Sequence, residues 1–271
     1  MMKITFFFAA LFLLDFFSCF HAYPLPDIED AKFIEDCVRA HNTFRSKVSP
    51  PASNMFRMSW DAALAKTAKA WAKKCKFNHN TYLEMPGKMH PTFRFVGENI
   101  WTGTAHSFSV DAALRSWFNE VSSYDFSTNT CTHKCGHYTQ VVWAESYKVG
   151  CAVHFCNTVE NFSGLFKAAH FVCNYGPAGN YPRKPYKEGQ PCSRCSNEKC
   201  VEKLCENTNR EKLISTYQIV LNGFPVMPTG IQTGIHSPSH RSPVPPGLPC
   251  HHTSHLLSIH DPRVTNTVLV F

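Results

Sequence analysis

Eleven of the chain's thirteen cysteines fall between Cys37 and Cys205, behind an N-terminus that reads as a secretory signal. Lys3 gives a positive start, and residues 4–14 are apolar apart from Thr5. A run from Phe16 through Phe20 to Ala22 then leads into Tyr23 and Pro24. Residues 1–22 are therefore expected to be removed as a signal peptide, although Phe20 is bulky for the position two before the cut. An uncleaved membrane anchor is the competing reading, but the apolar run is short for a span. Export puts the cysteines in an oxidising compartment, so disulfides are expected to constrain the fold. Cys19 leaves with the signal, and Cys250 stands alone in a late, proline-rich stretch. The remaining eleven are odd in number, so at least one stays a thiol.

Cysteine spacing limits the pairing. Cys151 and Cys156 lie five residues apart on one expected strand, so they face opposite sides about 17 Å apart. They cannot bond to each other, since a disulfide needs α-carbons within about 7 Å. Cys173 and Cys75 are open as partners for them. Cys131 and Cys135 can pair only if a turn brings them together.

The 271 residues allow one or two domains. Apolar spacing predicts three helices. The first carries Phe33, Cys37, His41 and Phe44 on one face, with Asp30 as N-cap. The second starts at a Ser59 cap and aligns Trp60, Leu64, Ala68 and Trp71. The third begins near Asp111 and turns Ala113, Leu114, Trp117, Phe118 and Val121 inward, with Glu120 bordering that stripe. Strands are expected at 97–101, 137–143, 149–156 and 171–175. The 137–143 strand rests on alternation, with His137, Thr139, Val141 and Trp143 on one face. Interleaved helices and late strands imply a sheet with helices packed on its faces.

After Tyr175 the chain loosens into glycines and prolines, followed by a cysteine-dense hinge at 192–205 that is too small to bury its own core. Residues 206–271 hold eight prolines and read as a mostly disordered tail without a membrane-length apolar stretch. The formal charge of +7 leaves about +6 on the body once the tail's +1 is set aside. That charge favours weak contact with anionic surfaces, while nucleic acid is not an expected partner for an exported chain.

Four segments, in order, carry a family resemblance: His41–Asn42–Thr43–Phe44–Arg45, Gly97–Glu98–Asn99–Ile100, GHYTQVVWAES at 136–146 and HFVCNYGPAGNY at 170–181. Across residues 33–186 they resemble the CAP superfamily of cysteine-rich secretory, antigen 5 and pathogenesis-related proteins, and most closely its glioma pathogenesis-related group. The resemblance implies an α+β fold, a three-layer α-β-α sandwich around an antiparallel sheet. It divides the chain into a signal at 1–22, a CAP domain at 23–186, a hinge at 187–205 and the tail. It also implies disulfides joining Cys75 to Cys156, Cys151 to Cys173 and Cys131 to Cys135, with hinge pairs Cys192–Cys200 and Cys195–Cys205. Cys37 is then the unpaired thiol, a small apolar group on the first helix. The C-terminal membrane helix found in that group has no counterpart in residues 206–271, so a secreted, extracellular protein is expected.

The same resemblance implies a cleft lined by His79, Glu98, Glu120 and His137. Three readings of these residues stay open. The histidines could hold zinc or another divalent cation weakly, since catalytic zinc usually has three protein ligands. Glu98 or Glu120 could act as the general base of a hydrolase, although no nucleophile elbow or HExxH helix accompanies them. The glutamates could simply hold the histidines and a long loop in place. Binding of protein partners, or of lipids such as sterols and fatty acids, is the function this resemblance favours over catalysis. His41 and Arg45 read as structural, and His251, His252 and His255 as solvated. Asn161 opens an N-glycosylation sequon in an expected surface loop.

Overall fold

The computed structural model describes residues 25–210. The signal peptide, Cys250, the tail histidines and nearly all of the tail lie outside these residues.

Helix α1, Ala31–Arg45, starts where Asp30 accepts the backbone N–H groups of Lys32 and Phe33. Its stripe buries Phe33, Cys37, His41 and Phe44 as the spacing predicts. The second helix differs from the expectation at its start. Ser59–Trp60 is a short strand, β1, and helix α2 runs from Ala62 to Ala72. Asp61 is the cap, because its carboxylate accepts from the N–H groups of Ala63 and Leu64. Trp60 therefore packs from the sheet and not from the helix.

Strand β2 is Gly97–Thr104, and helix α3 is Val110–Asn119, capped by Ser109 and followed by a 3-10 turn at Glu120–Ser123. Two small strands follow, β3 at Tyr124–Asp125 and β4 at Thr130–Cys131. Residues 137–143 are not a strand. They fall in a short helix, α4, at Gly136–Val141, and in the turn after it. Within it Tyr138, Gln140 and Val141 are buried, and Val142 and Trp143 are buried just after it, so neither face of the polar-apolar alternation is left to solvent.

Strands β5, Lys148–Val159, and β6, Phe162–Gly176, form a long antiparallel hairpin at the centre of a four-stranded sheet ordered β1-β5-β6-β2. The sheet is mixed where an antiparallel one was expected, because β1 runs parallel to β5. Alternation along β6 sends Phe171, Cys173 and Tyr175 into the larger core with α1, α3 and α4. Val172, with Ala152 and Ile100, meets Ala68 and Ala72 of α2 on the other face. The result is three layers, helix, sheet and helix. Gly150 lets β5 approach the backbone of α2, since a Cβ there would lie 2.1 Å from the Ala65 nitrogen.

Five disulfides staple this frame. Cys75–Cys156 ties the end of α2 to β5, and Cys151–Cys173 links directly opposed residues of β5 and β6. Cys131–Cys135 closes a small loop before α4. Cys192–Cys200 and Cys195–Cys205 hold the hinge, whose strands β7, Lys199–Val201, and β8, Leu204–Glu206, pair with each other. The hinge is docked on the body: Leu204 joins the main core, and Cys205 exchanges backbone hydrogen bonds with Met55 and Arg57. Cys37 is a buried free thiol, raised well above its ordinary pKa by burial.

Candidate functional site

Helix α4 is too short to persist on its own, and two charged side chains from elsewhere hold its ends. At the start, Glu120 Oε2 accepts from the backbone N–H groups of His137 and Tyr138 at 3.0 and 3.2 Å. At the far end, the buried Arg45 guanidinium donates to the carbonyls of Val141, Trp143 and Ala144. A carboxylate at a helix N-terminus and a cation at its C-terminus both match the helix dipole. The Cys131–Cys135 bond fixes the residue at which α4 begins.

This arrangement sets the His137 side chain. Its Nδ1–H donates to Glu120 Oε1 at 2.7 Å, and its ring stacks on Trp117 with centroids 6.0 Å apart. A second pair repeats the pattern from other elements. His79, in the segment between Cys75 and the 3-10 turn Thr81–Glu84, donates from Nδ1 to Glu98 Oε1 at 2.9 Å. Glu98, near the start of β2, also accepts from the Asn80 N–H at 3.0 Å. Its side chain is 1% exposed, whereas that of His79 is 38% exposed. The four residues singled out from the sequence are thus two carboxylate–histidine pairs.

Both histidines line one cavity of about 620 Å³. Phe77, Ile100, Tyr124, Trp143 and Tyr181 supply its apolar walls. Exposed His133, Lys134 and Arg183 also border it, with the Arg183 guanidinium 5.3 Å from the Trp143 ring. None of these wall residues was singled out in the sequence as part of the cleft, although Trp143, Ile100 and Tyr181 fall in segments read there, because only folding brings them together. Asn99 was also missed beyond its motif: its Nδ2 donates to the His137 carbonyl at 3.0 Å. Consecutive residues of β2 therefore hold both halves of the cleft. The sequon residue Asn161 is exposed in the β5–β6 turn, and its amide donates to Asn78 at the cavity wall.

The two pairs are chemically suited to a divalent cation. A carboxylate on Nδ1 fixes the tautomer and leaves a basic Nε2 lone pair, as in many metal-bound histidines. Neither Nε2 has a protein partner among the described residues. The same residues contain no group of three His, Cys, Asp or Glu side chains placed to hold a metal ion. The carboxylates are poorly placed as general bases, since each already accepts from a histidine and from backbone N–H groups.

Comparison with known proteins agrees with the fold. A model of the CAP, cysteine-rich secretory protein family matches residues 38–175. Glioma pathogenesis-related protein 1 of Mus musculus is 50% identical over 210 residues, which are 77% of this chain and 78% of that protein. GLIPR1-like protein 1 of Bos taurus is 52% identical over 188 residues, 69% of this chain and 76% of that one. The crystal structure of NaASP2 with Zn2+ superposes with a TM-score of 0.52 at 29% identity, over 68% of this chain and 100% of that one.

Proposed function

The chain belongs to the CAP family of cysteine-rich secretory proteins, and on that footing we propose that it acts outside the cell by binding, without catalysis. Its cleft holds a divalent cation such as zinc, weakly, through Nε2 of His79 and His137. The observation that carries this reading is the paired clamp, in which Glu98 and Glu120 each hold an Nδ1 and leave the other ring nitrogen without a protein partner among the described residues. The bound ion would supply a Lewis-acidic point for a partner's oxygen or nitrogen donor. A relative crystallised with Zn2+ supports the choice of metal. Two protein ligands imply a site that exchanges readily and answers to chelators.

Calorimetric titration of chelator-treated protein with zinc is expected to release heat that disappears in His79→Ala/His137→Ala. Equal heat from the double variant would sink the cation reading. A hydrolase would instead turn over members of a peptide library and lose that activity in Glu98→Gln and Glu120→Gln.

A further inference from the structure

No aspartate or glutamate lines the 620 Å³ cavity among the described residues, although two carboxylates stand directly behind its histidines. The negative charge of Glu98 and Glu120 is directed into ring and backbone N–H groups. The charged side chains at the cavity are Lys134 and Arg183, with His79, His133 and His137 beside them. Arg183 is already paired with Glu145, whereas Lys134 has no ion-pair partner among the described residues. Trp143 and Tyr181 form an aromatic wall, their ring centroids 6.0 Å apart. Amide and hydroxyl side chains, Asn78, Asn129 and Thr139, are interspersed with the aromatic ones.

From this charge and wall chemistry we propose that the cleft takes a peptide bearing a carboxylate next to an aromatic side chain. The carboxylate meets Lys134 and the histidine side of the cavity, and the aromatic ring packs against Tyr181, with the nearly buried Trp143 behind it. A mixed wall suits a peptide better than an unbroken hydrocarbon chain, which would leave the polar groups facing methylenes. The proposal deepens the reading of the cleft as a binding site and rests on it, but it does not require the metal.

The test uses the full chain in chelator-containing buffer with N-acetyl-tryptophanyl-glutamate as probe, against the same peptide with glutamine and a terminal amide. The acid is expected to bind about fivefold or more tightly than the neutral peptide, the scale of an exposed charge pair. That advantage is expected to vanish in Lys134→Glu, to shrink in Lys134→Gln and to fall as salt rises. Equal binding of the two peptides, no binding of either, or an advantage that survives Lys134→Glu would overturn it. Displacement of the peptide by a tighter-binding twelve-carbon fatty acid would overturn it too. Zinc titration of the same sample separates the two readings. Peptide binding without zinc heat removes only the cation, and zinc heat without peptide binding removes only this proposal.

Discussion

The Arg45 guanidinium is fully buried and has no carboxylate partner among the described residues. It donates instead to the carbonyls of Phe56, Val141, Trp143, Ala144 and Ser146 at 2.7–3.1 Å. Only a planar fork with five N–H groups can serve so many acceptors at once, and lysine has three on a single nitrogen. Arg45→Lys is therefore expected to lose about 3 kcal/mol or more, through carbonyls left buried without donors. Urea unfolding measures this, and a loss under about 1 kcal/mol would contradict it. Zinc affinity is expected to fall in parallel, because the same carbonyls end the helix that carries His137. The structural role of Arg45 and His41 was legible in the sequence, since His41 lies on the apolar stripe of α1 and Arg45 four residues on. Their partners were not legible, because they lie up to 134 residues away.

At the scale of elements, three helices followed from periodicity and the split of Cys151 and Cys156 from strand geometry, whereas strands expected at 149–156 and 171–175 proved to be parts of one longer hairpin, β5 and β6. The segment around His137 did not follow from periodicity. Its alternation is compatible with a strand, and what makes it helical is a carboxylate from the end of α3 and a guanidinium from α1. Such capping over distance leaves no local mark. The Ser59 cap failed for a related reason, because β1 pairs with β5 and moves the cap to Asp61 and the helix start to Ala62. Glu120 tests this account. Glu120→Gln keeps one acceptor oxygen but loses the charge on the helix dipole, and Glu120→Ala removes both. Expected losses are about 1 kcal/mol for the glutamine and about 2–3 kcal/mol for the alanine. Zinc binding should weaken more in the alanine variant, since His137 loses its clamp. Equal stability of wild type and Glu120→Ala in chemical denaturation would mean that α4 is held by packing alone.

Across the whole molecule, burial makes the fold sensitive to mild acid. His41 and His170 are both fully buried, and burial lowers each from the ordinary 6.5 to about 4. His41 is held neutral by geometry as well. Its Nδ1–H donates to the Cys37 carbonyl, and its Nε2 accepts from the Tyr175 hydroxyl. His170 sits across the sheet with Nδ1 against the Thr102 hydroxyl at 2.7 Å. In the unfolded chain both rings take up a proton as pH falls through 6.5, while in the folded chain they resist until about 4. The unfolded state therefore binds more protons in that window. Stability is complete above the unfolded value and drains away as pH falls towards the folded one. Between pH 7 and 5 each histidine is expected to remove about 2 kcal/mol. That interval lies above the ordinary carboxylate range, so most of the loss belongs to histidine. Denaturant midpoints at the two pH values measure it, and the decisive comparison is His170→Gln, whose side chain can still bond the Thr102 hydroxyl. The variant is expected to start less stable at pH 7 and then lose about 2 kcal/mol less than wild type on acidification. An undiminished loss in the variant would show that His170 takes up its proton without unfolding the sheet.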